Sequence, residues 1–200
     1  MNTTTKQQKG FTLIETLVAI LILTLSIGAL LSLASGGFYS VRYSRNQIVA
    51  NNLLQESIEY IRNSRDTSFE QGVLWSDWQA GVLSVDTLGN PTGTGSDGCF
   101  SVDGCFVDPY TTGAKIKQCE GGGCPFVLYY PSNAFYGYQA TYPFPPSILS
   151  TFETSFVRTI KIRTSDADPE QLIVNATVSW LNGSNPRSIE QEILITNWRQ

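Results

Sequence analysis

The chain has 200 residues, 42% of them apolar and 15% charged, with a formal net charge of -4 and no histidine. That length gives room for one sizeable domain plus an anchor, and the composition fits neither a disordered tail nor a supercharged surface. A weakly acidic chain without a Lys/Arg stripe makes nucleic acid a poor partner, and the missing histidine removes Ser-His-Asp and Cys-His catalysis together with the commonest metal ligand.

The first predicted element is an apolar helix. From Phe11 to Ala34 there is no Lys, Arg, Asp, Asn, Gln or Pro, and Glu15 is the only charge. The polar residues are Thr12, Thr16, Thr24, Ser26 and Ser32, whose hydroxyls can bond back to their own helix. These 24 residues, at about 1.5 Å each, reach roughly 36 Å, enough for a hydrocarbon core of about 30 Å. An ionisable group in such a run is expensive, so Glu15 calls for a partner.

Three readings compete for this segment: a plain single-pass anchor, a removable signal peptide, or a segment cut before its apolar run that keeps the run. Lys6 and Lys9 supply a basic start, and Ser32-Leu33-Ala34 offers small residues before a cut at Ser35. The apolar run is nevertheless longer than the roughly 7–15 residues of a signal peptide. Lys6 and Lys9 precede the span and Arg42 and Arg45 follow it, so positive-inside counting is nearly a tie.

The stretch Lys9-Gly10-Phe11-Thr12-Leu13-Ile14-Glu15 resembles the N-terminal signature of type IV pilins and pseudopilins. The resemblance implies that a prepilin peptidase cuts between Gly10 and Phe11, that Phe11 is N-methylated, and that Glu15 is the assembly carboxylate. A liberated amine on Phe11 beside lipid and an anion one helical turn deeper are each costly alone. Paired between neighbouring subunits, they neutralise one another.

The expected fold class is then α+β and pilin-like, a long N-terminal helix packed on a C-terminal antiparallel sheet. The expected divisions are a leader at 1–10, a transmembrane and filament-core helix at 11–35, an amphipathic stem at 36–66 and an extracytoplasmic head at 67–200 with cysteine-bearing loops at 97–125. The implied partners are the prepilin peptidase, other pilins or pseudopilins through the helix, an inner-membrane assembly platform and membrane lipid. The resemblance implies a structural subunit of a type IV pilus or type II secretion-like filament, stored in the cytoplasmic membrane with its head outside, with no cofactor and no enzymatic activity. An uncleaved, membrane-anchored binding module is the alternative.

Beyond the span, Val41, Ile48, Leu54, Ile58 and Ile61 form a helical stripe that should pack against the head. Gly28 and Ser35-Gly36-Gly37 are the weak points of the rod. The stem from Ala50 to Asp66 also resembles that of minor pilins. From Thr67 the composition turns to Gly, Pro, Ser, Asp and aromatics. Gly81–Val85 is expected to be a first strand, and Leu88–Gly98 a loop.

Cys99, Cys105, Cys119 and Cys124 follow, permitting three pairings. With the head outside the cytoplasm disulfides persist, and the local pairs 99–105 and 119–124 would pin two Gly-rich loops. A four-thiolate zinc site is the sharper alternative, though the spacings are wide for it. Asp97, Asp103 and Asp108 surround the first pair as weak calcium candidates without EF-hand spacing; a solvated acidic loop is the plainer reading.

Further strands are expected at Phe126–Tyr130 and Phe135–Tyr142. The aromatics from Phe135 to the Tyr142-Pro-Phe-Pro-Pro run are read chiefly as sheet and loop packing. Three longer strands then close the chain: Phe152–Thr164 with Phe156, Ile160 and Ile162 on one face; Gln171–Trp180 with Leu172, Val174, Ala176, Val178 and Trp180; and Arg187–Trp198 with Ile189, Ile193 and Ile195 inward. Turn formers at Ser165–Pro169 and Asn182–Pro186 make this an antiparallel meander. The ATVSW segment and Asn197-Trp198-Arg199 resemble minor pilins and I-like pseudopilins. Asn175 and Asn182 fit the glycosylation pattern, Asn182 better for its place on a turn.

Overall fold

The computed structural model describes residues 10, 12–93, 96–111, 113–131, 135–138 and 152–198. The chain divides into two compact units, Met1–Arg45 and Asn46–Gln200. Helix α1, Leu13–Glu70, contributes to both and is helical through Gly28 and Gly36–Gly37.

In the first unit the helix between Glu15 and Ser35 carries no charge and is apolar on every face, and Leu13, Leu25 and Leu33 are each more than two-thirds exposed. Several of its hydroxyls bond back to the helix: Thr16 Oγ1 donates to the Leu13 carbonyl at 2.8 Å, Thr24 Oγ1 to Leu21 at 2.9 Å and Ser26 Oγ to Ile22 at 2.8 Å. A helix that is apolar all round belongs in lipid or among other such helices.

In the second unit α1 lays one face on the sheet. Ahead of Phe69, which is buried near its end, the buried residues are Ala50, Leu53, Leu54, Ser57, Ile58 and Ile61, a three-four spacing that keeps them on one side. Val41 and Ile48, which the sequence analysis puts on this stripe, are instead exposed: at about 100° per residue both point to the opposite face of the helix. The helix runs four residues past the expected stem end because Thr67 and Ser68 do not break it and Gly72 does. Gly72, at φ +81°, lets the Val73 N–H reach the Ser68 carbonyl (2.9 Å) while its own N–H reaches Phe69 (3.0 Å). This is a Schellman ending, in which glycine adopts the left-handed conformation without a Cβ penalty.

The head that follows begins with a short helix α2, Trp75–Trp78, and a π-helical turn, Gln79–Leu83. The strand expected at Gly81–Val85 is therefore wrong. Trp78 and Leu83, five residues apart, are both fully buried, and the Ser84 N–H closes a wide turn onto Gln79 at 3.0 Å; only Val85 makes an isolated bridge, to Pro91. A 3-10 turn, Gly98–Phe100, leads to strands β1 (Cys105–Val107), β2 (Ile116–Gln118), β3 (Phe126–Tyr130), β4 (Phe135–Gly137), β5 (Phe152–Thr164), β6 (Gln171–Asn182) and β7 (Asn185–Thr196). The part of the expected Phe135–Tyr142 strand beyond Tyr138, and the Tyr142-Pro-Phe-Pro-Pro run, lie outside the described residues.

The strands form one antiparallel sheet in the order β2-β1-β5-β3-β4, with β6 on the other side of β5 and β7 at the far edge. β6 alternates as the sequence requires, with Leu172, Val174, Ala176, Val178 and Trp180 buried. On β7 only Ile195 is buried; Ile189 and Ile193 are partly buried, because an edge strand has a neighbour on one side alone. Asn182, at the end of β6, is buried rather than presented on the turn, so its side chain is not placed to carry a glycan.

Gly98 occupies a close approach as well as a left-handed conformation. Its φ is +63°, and a Cβ would lie 2.3 Å from the Leu83 carbonyl oxygen and 2.6 Å from the Val85 nitrogen. The Gly98→Ala variant is expected to lose about 2–5 kcal/mol, the sum of the conformational and overpacking terms, measured by urea unfolding with the slope unchanged.

Candidate functional site: the apolar helix and the pinned head

Gly10 and Glu15 are both solvent-exposed, and Phe11 lies outside the described residues. Glu15 is in the first turn of α1, its N–H donating to the Thr12 carbonyl at 3.1 Å. There the partial positive charge of the helix N-terminus favours a carboxylate. Among the described residues Glu15 has no cationic partner. The helix that follows is long and apolar enough to cross a membrane by length and composition, and among the described residues none of its most apolar stretch is buried.

The second unit is organised around a residue that the sequence reading passed over. Arg158, on the inner face of β5 between Phe156 and Ile160, is completely buried. Its Nη1 donates to the Leu53 carbonyl at 3.2 Å and to Glu56 Oε2 at 2.5 Å, both on α1. Its Nη2 donates to the Val107 carbonyl on β1, and its Nε to the Tyr138 hydroxyl at 3.3 Å. One guanidinium thus joins the helix, two strands and the segment after β4. Burial works against its charge, but Tyr138 and Glu56 more than offset this and leave its pKa raised. Burial also raises the pKa of Tyr138, with Arg158 opposing it in part. The available signal was an arginine at the one polar position of the series 156, 158, 160, 162.

Two disulfides hold the loops beside this network. Cys99, in the 3-10 turn, is joined to Cys105 at the start of β1, and Cys119, just after β2, to Cys124 before β3. All four are buried, and the Cys119–Cys124 pair packs with Phe106, Tyr138 and Val157 into a small second core. Each bridge closes a short loop, for which the chain-entropy account gives roughly 2–3 kcal/mol. The double variant Cys99→Ser/Cys105→Ser is expected to lose that amount in urea unfolding, and reducing the wild type should lose more, since both bridges open.

Asp97 and Asp103 are partly exposed, whereas Asp108 is buried rather than part of a solvated loop. Among the described residues no three Cys, Asp or Glu side chains gather as a metal site.

A third cluster caps the end of α1. Phe69 packs edge-on against Trp198 (5.6 Å between ring centres) and beside Trp75 (6.0 Å), which meets Trp78 (5.2 Å). Trp78 Nε1 donates to Ser64 Oγ at 2.9 Å, and Arg65 Nη1 to the Thr196 carbonyl at 3.3 Å. The end of the chain is thereby fastened to the helix.

Residues 5–31 match the family described as the prokaryotic N-terminal methylation motif. That motif is the N-terminal signature of type IV pilins and pseudopilins, and it supports a pilin-like or pseudopilin-like subunit. No curated protein and no solved structure matches the chain.

Proposed function

We propose that this chain is a structural subunit, a minor pilin or pseudopilin, of a type IV pilus or type II secretion-like filament. Prepilin peptidase removes residues 1–10 by cutting after Gly10, and the new N-terminal Phe11 is methylated. The subunit waits in the cytoplasmic membrane with its head outside, and an inner-membrane assembly platform then moves it into the filament. Residues 11–35 become filament core, 36–66 the stem and 67–200 the head. Glu15 pairs with the Phe11 amine of a neighbouring subunit, and the apolar helix packs among others like it. The chain's own role is geometric rather than catalytic.

The observation that carries this reading is the methylation-motif match at residues 5–31, set on a helix whose apolar side chains are exposed among the described residues. N-terminal sequencing and intact mass of the chain recovered from cells test it. The expected product begins at methylated Phe11. A chain retaining Met1–Gly10 would point to the uncleaved binding module, and one beginning at Ser35 to a secreted soluble domain.

A further inference from the structure

We infer that Phe38, Tyr39, Arg42 and Arg45 form a docking surface for anionic phospholipid headgroups on the side of the membrane opposite Glu15. The inference rests only on the membrane-span part of the proposed function, not on cleavage or filament assembly.

The argument begins with length. A charged carboxylate is least costly at the boundary of the hydrocarbon. With Glu15 at one boundary, the helix rise of about 1.5 Å per residue places the other, about 30 Å away, near Ser35. Phe38 and Tyr39 then fall in the headgroup layer, where aromatic rings concentrate. Both are more than half exposed, at 70% and 51%. Arg42 and Arg45 lie one and two turns beyond, and their aliphatic stems can lean back so that the guanidinium groups reach the phosphates.

The chemistry agrees with the length. Phe38, Arg42 and Arg45 are spaced four and three residues apart, which puts them on one face of α1. Both arginines are exposed, and among the described residues neither has an ion-pair partner. Planar guanidinium donors match phosphate oxygens in pairs. A second copy of the helix is a poorer occupant. Between Gly10 and Arg45 the sole carboxylate is Glu15, at the opposite end, so copies lying side by side in register bring no acid to Arg42 or Arg45.

The test uses the full chain reconstituted at high lipid-to-protein ratio. The bilayers are phosphatidylcholine alone, or phosphatidylcholine and phosphatidylglycerol in equal parts. Lipids retained on the protein are counted by native mass spectrometry. At about fivefold per cation near an anionic surface, the arginine pair is expected to favour retained phosphatidylglycerol by about 25-fold at low salt, fading as the screening length shrinks from about 10 Å at 0.1 M to 3 Å at 1 M. Arg42→Gln/Arg45→Gln should lose most of that preference, and Arg42→Lys/Arg45→Lys should keep much of it. Lys6→Gln/Lys9→Gln reports the contribution of the other end and should leave the arginine-dependent part intact.

A wild type with no preference, or an Arg42→Gln/Arg45→Gln chain that retains as much phosphatidylglycerol as wild type, overturns the inference. So does a variant that keeps its lipid but loses self-association, since the arginines would then serve another copy. Failure of the chain to insert into neutral phosphatidylcholine would instead reject the membrane span itself.

Discussion

Arg158→Ala is expected to lower the stability of the head by about 3–5 kcal/mol, the usual loss when one member of a buried ionic cluster is removed. The substitution strips the Leu53 and Val107 carbonyls and the Tyr138 hydroxyl of a shared donor and leaves Glu56 without its cation. It also opens a hollow in the plane where α1 meets β5. Glu56→Gln should cost less, because the Glu56 side chain is 29% exposed and water can take over part of its solvation. Arg158→Lys should not restore stability, since one ammonium cannot reach four acceptors spread over a planar fork. Urea unfolding of the three variants, followed by tryptophan fluorescence, gives the comparison. Equal stability of Arg158→Ala and wild type would mean that the cluster contributes nothing net.

Glu15→Leu should leave the protein in the membrane and remove it from the filament. Taking the carboxylate out makes the span more apolar, so insertion is preserved or strengthened, by at most about 2.5–3.5 kcal/mol and less near the interface. What is lost is the partner that the proposal assigns to the Phe11 amine of the next subunit. The expected result is a drop of about tenfold or more in the sheared-filament fraction, the loss of a charge pair worth at least 1.4 kcal/mol in a low-dielectric core, at an unchanged membrane level by immunoblot. Normal incorporation of Glu15→Leu would remove the electrostatic basis of the assembly proposal, while leaving the membrane reading and the lipid surface to their own tests.

These two residues sit at opposite ends of what a sequence can disclose. Glu15 was legible because it is the only charge between Phe11 and Ala34. One acid in a run fit for lipid is a local anomaly that needs no knowledge of the fold. The α+β arrangement was legible for a related reason: three-four spacing along α1 and alternation along β6, with Ile173 as the exception, each follow from the geometry of a single element. Even the chain's last strands could be placed, since turn formers separate them.

Arg158 was not legible in the same way, although it breaks the apolar series of β5. Its partners lie on α1, on β1 and beside β4, far apart in the chain, and only folding brings their carbonyls to one point. The Gly81–Val85 error has the same origin. A short apolar run reads as a strand, but Trp78 and Leu83 turn inward together and the backbone closes into a wide helical turn to let them. β7 shows a third form of it. Ile189 and Ile193 alternate like core residues, yet their burial depends on an outer neighbour that an edge strand does not have. Val41 and Ile48 fail for a plainer reason: at about 100° per residue the step from Ile48 to Leu54 crosses the helix, so both point away from the buried stripe and stay exposed. What the sequence by itself determined was periodicity, the apolar span and the signature around Glu15, all properties of neighbours along the chain. The tertiary structure alone decided which of those faces is covered and where the buried charge finds its acceptors. Burial and hydrogen-bond satisfaction are properties of surfaces meeting across the fold.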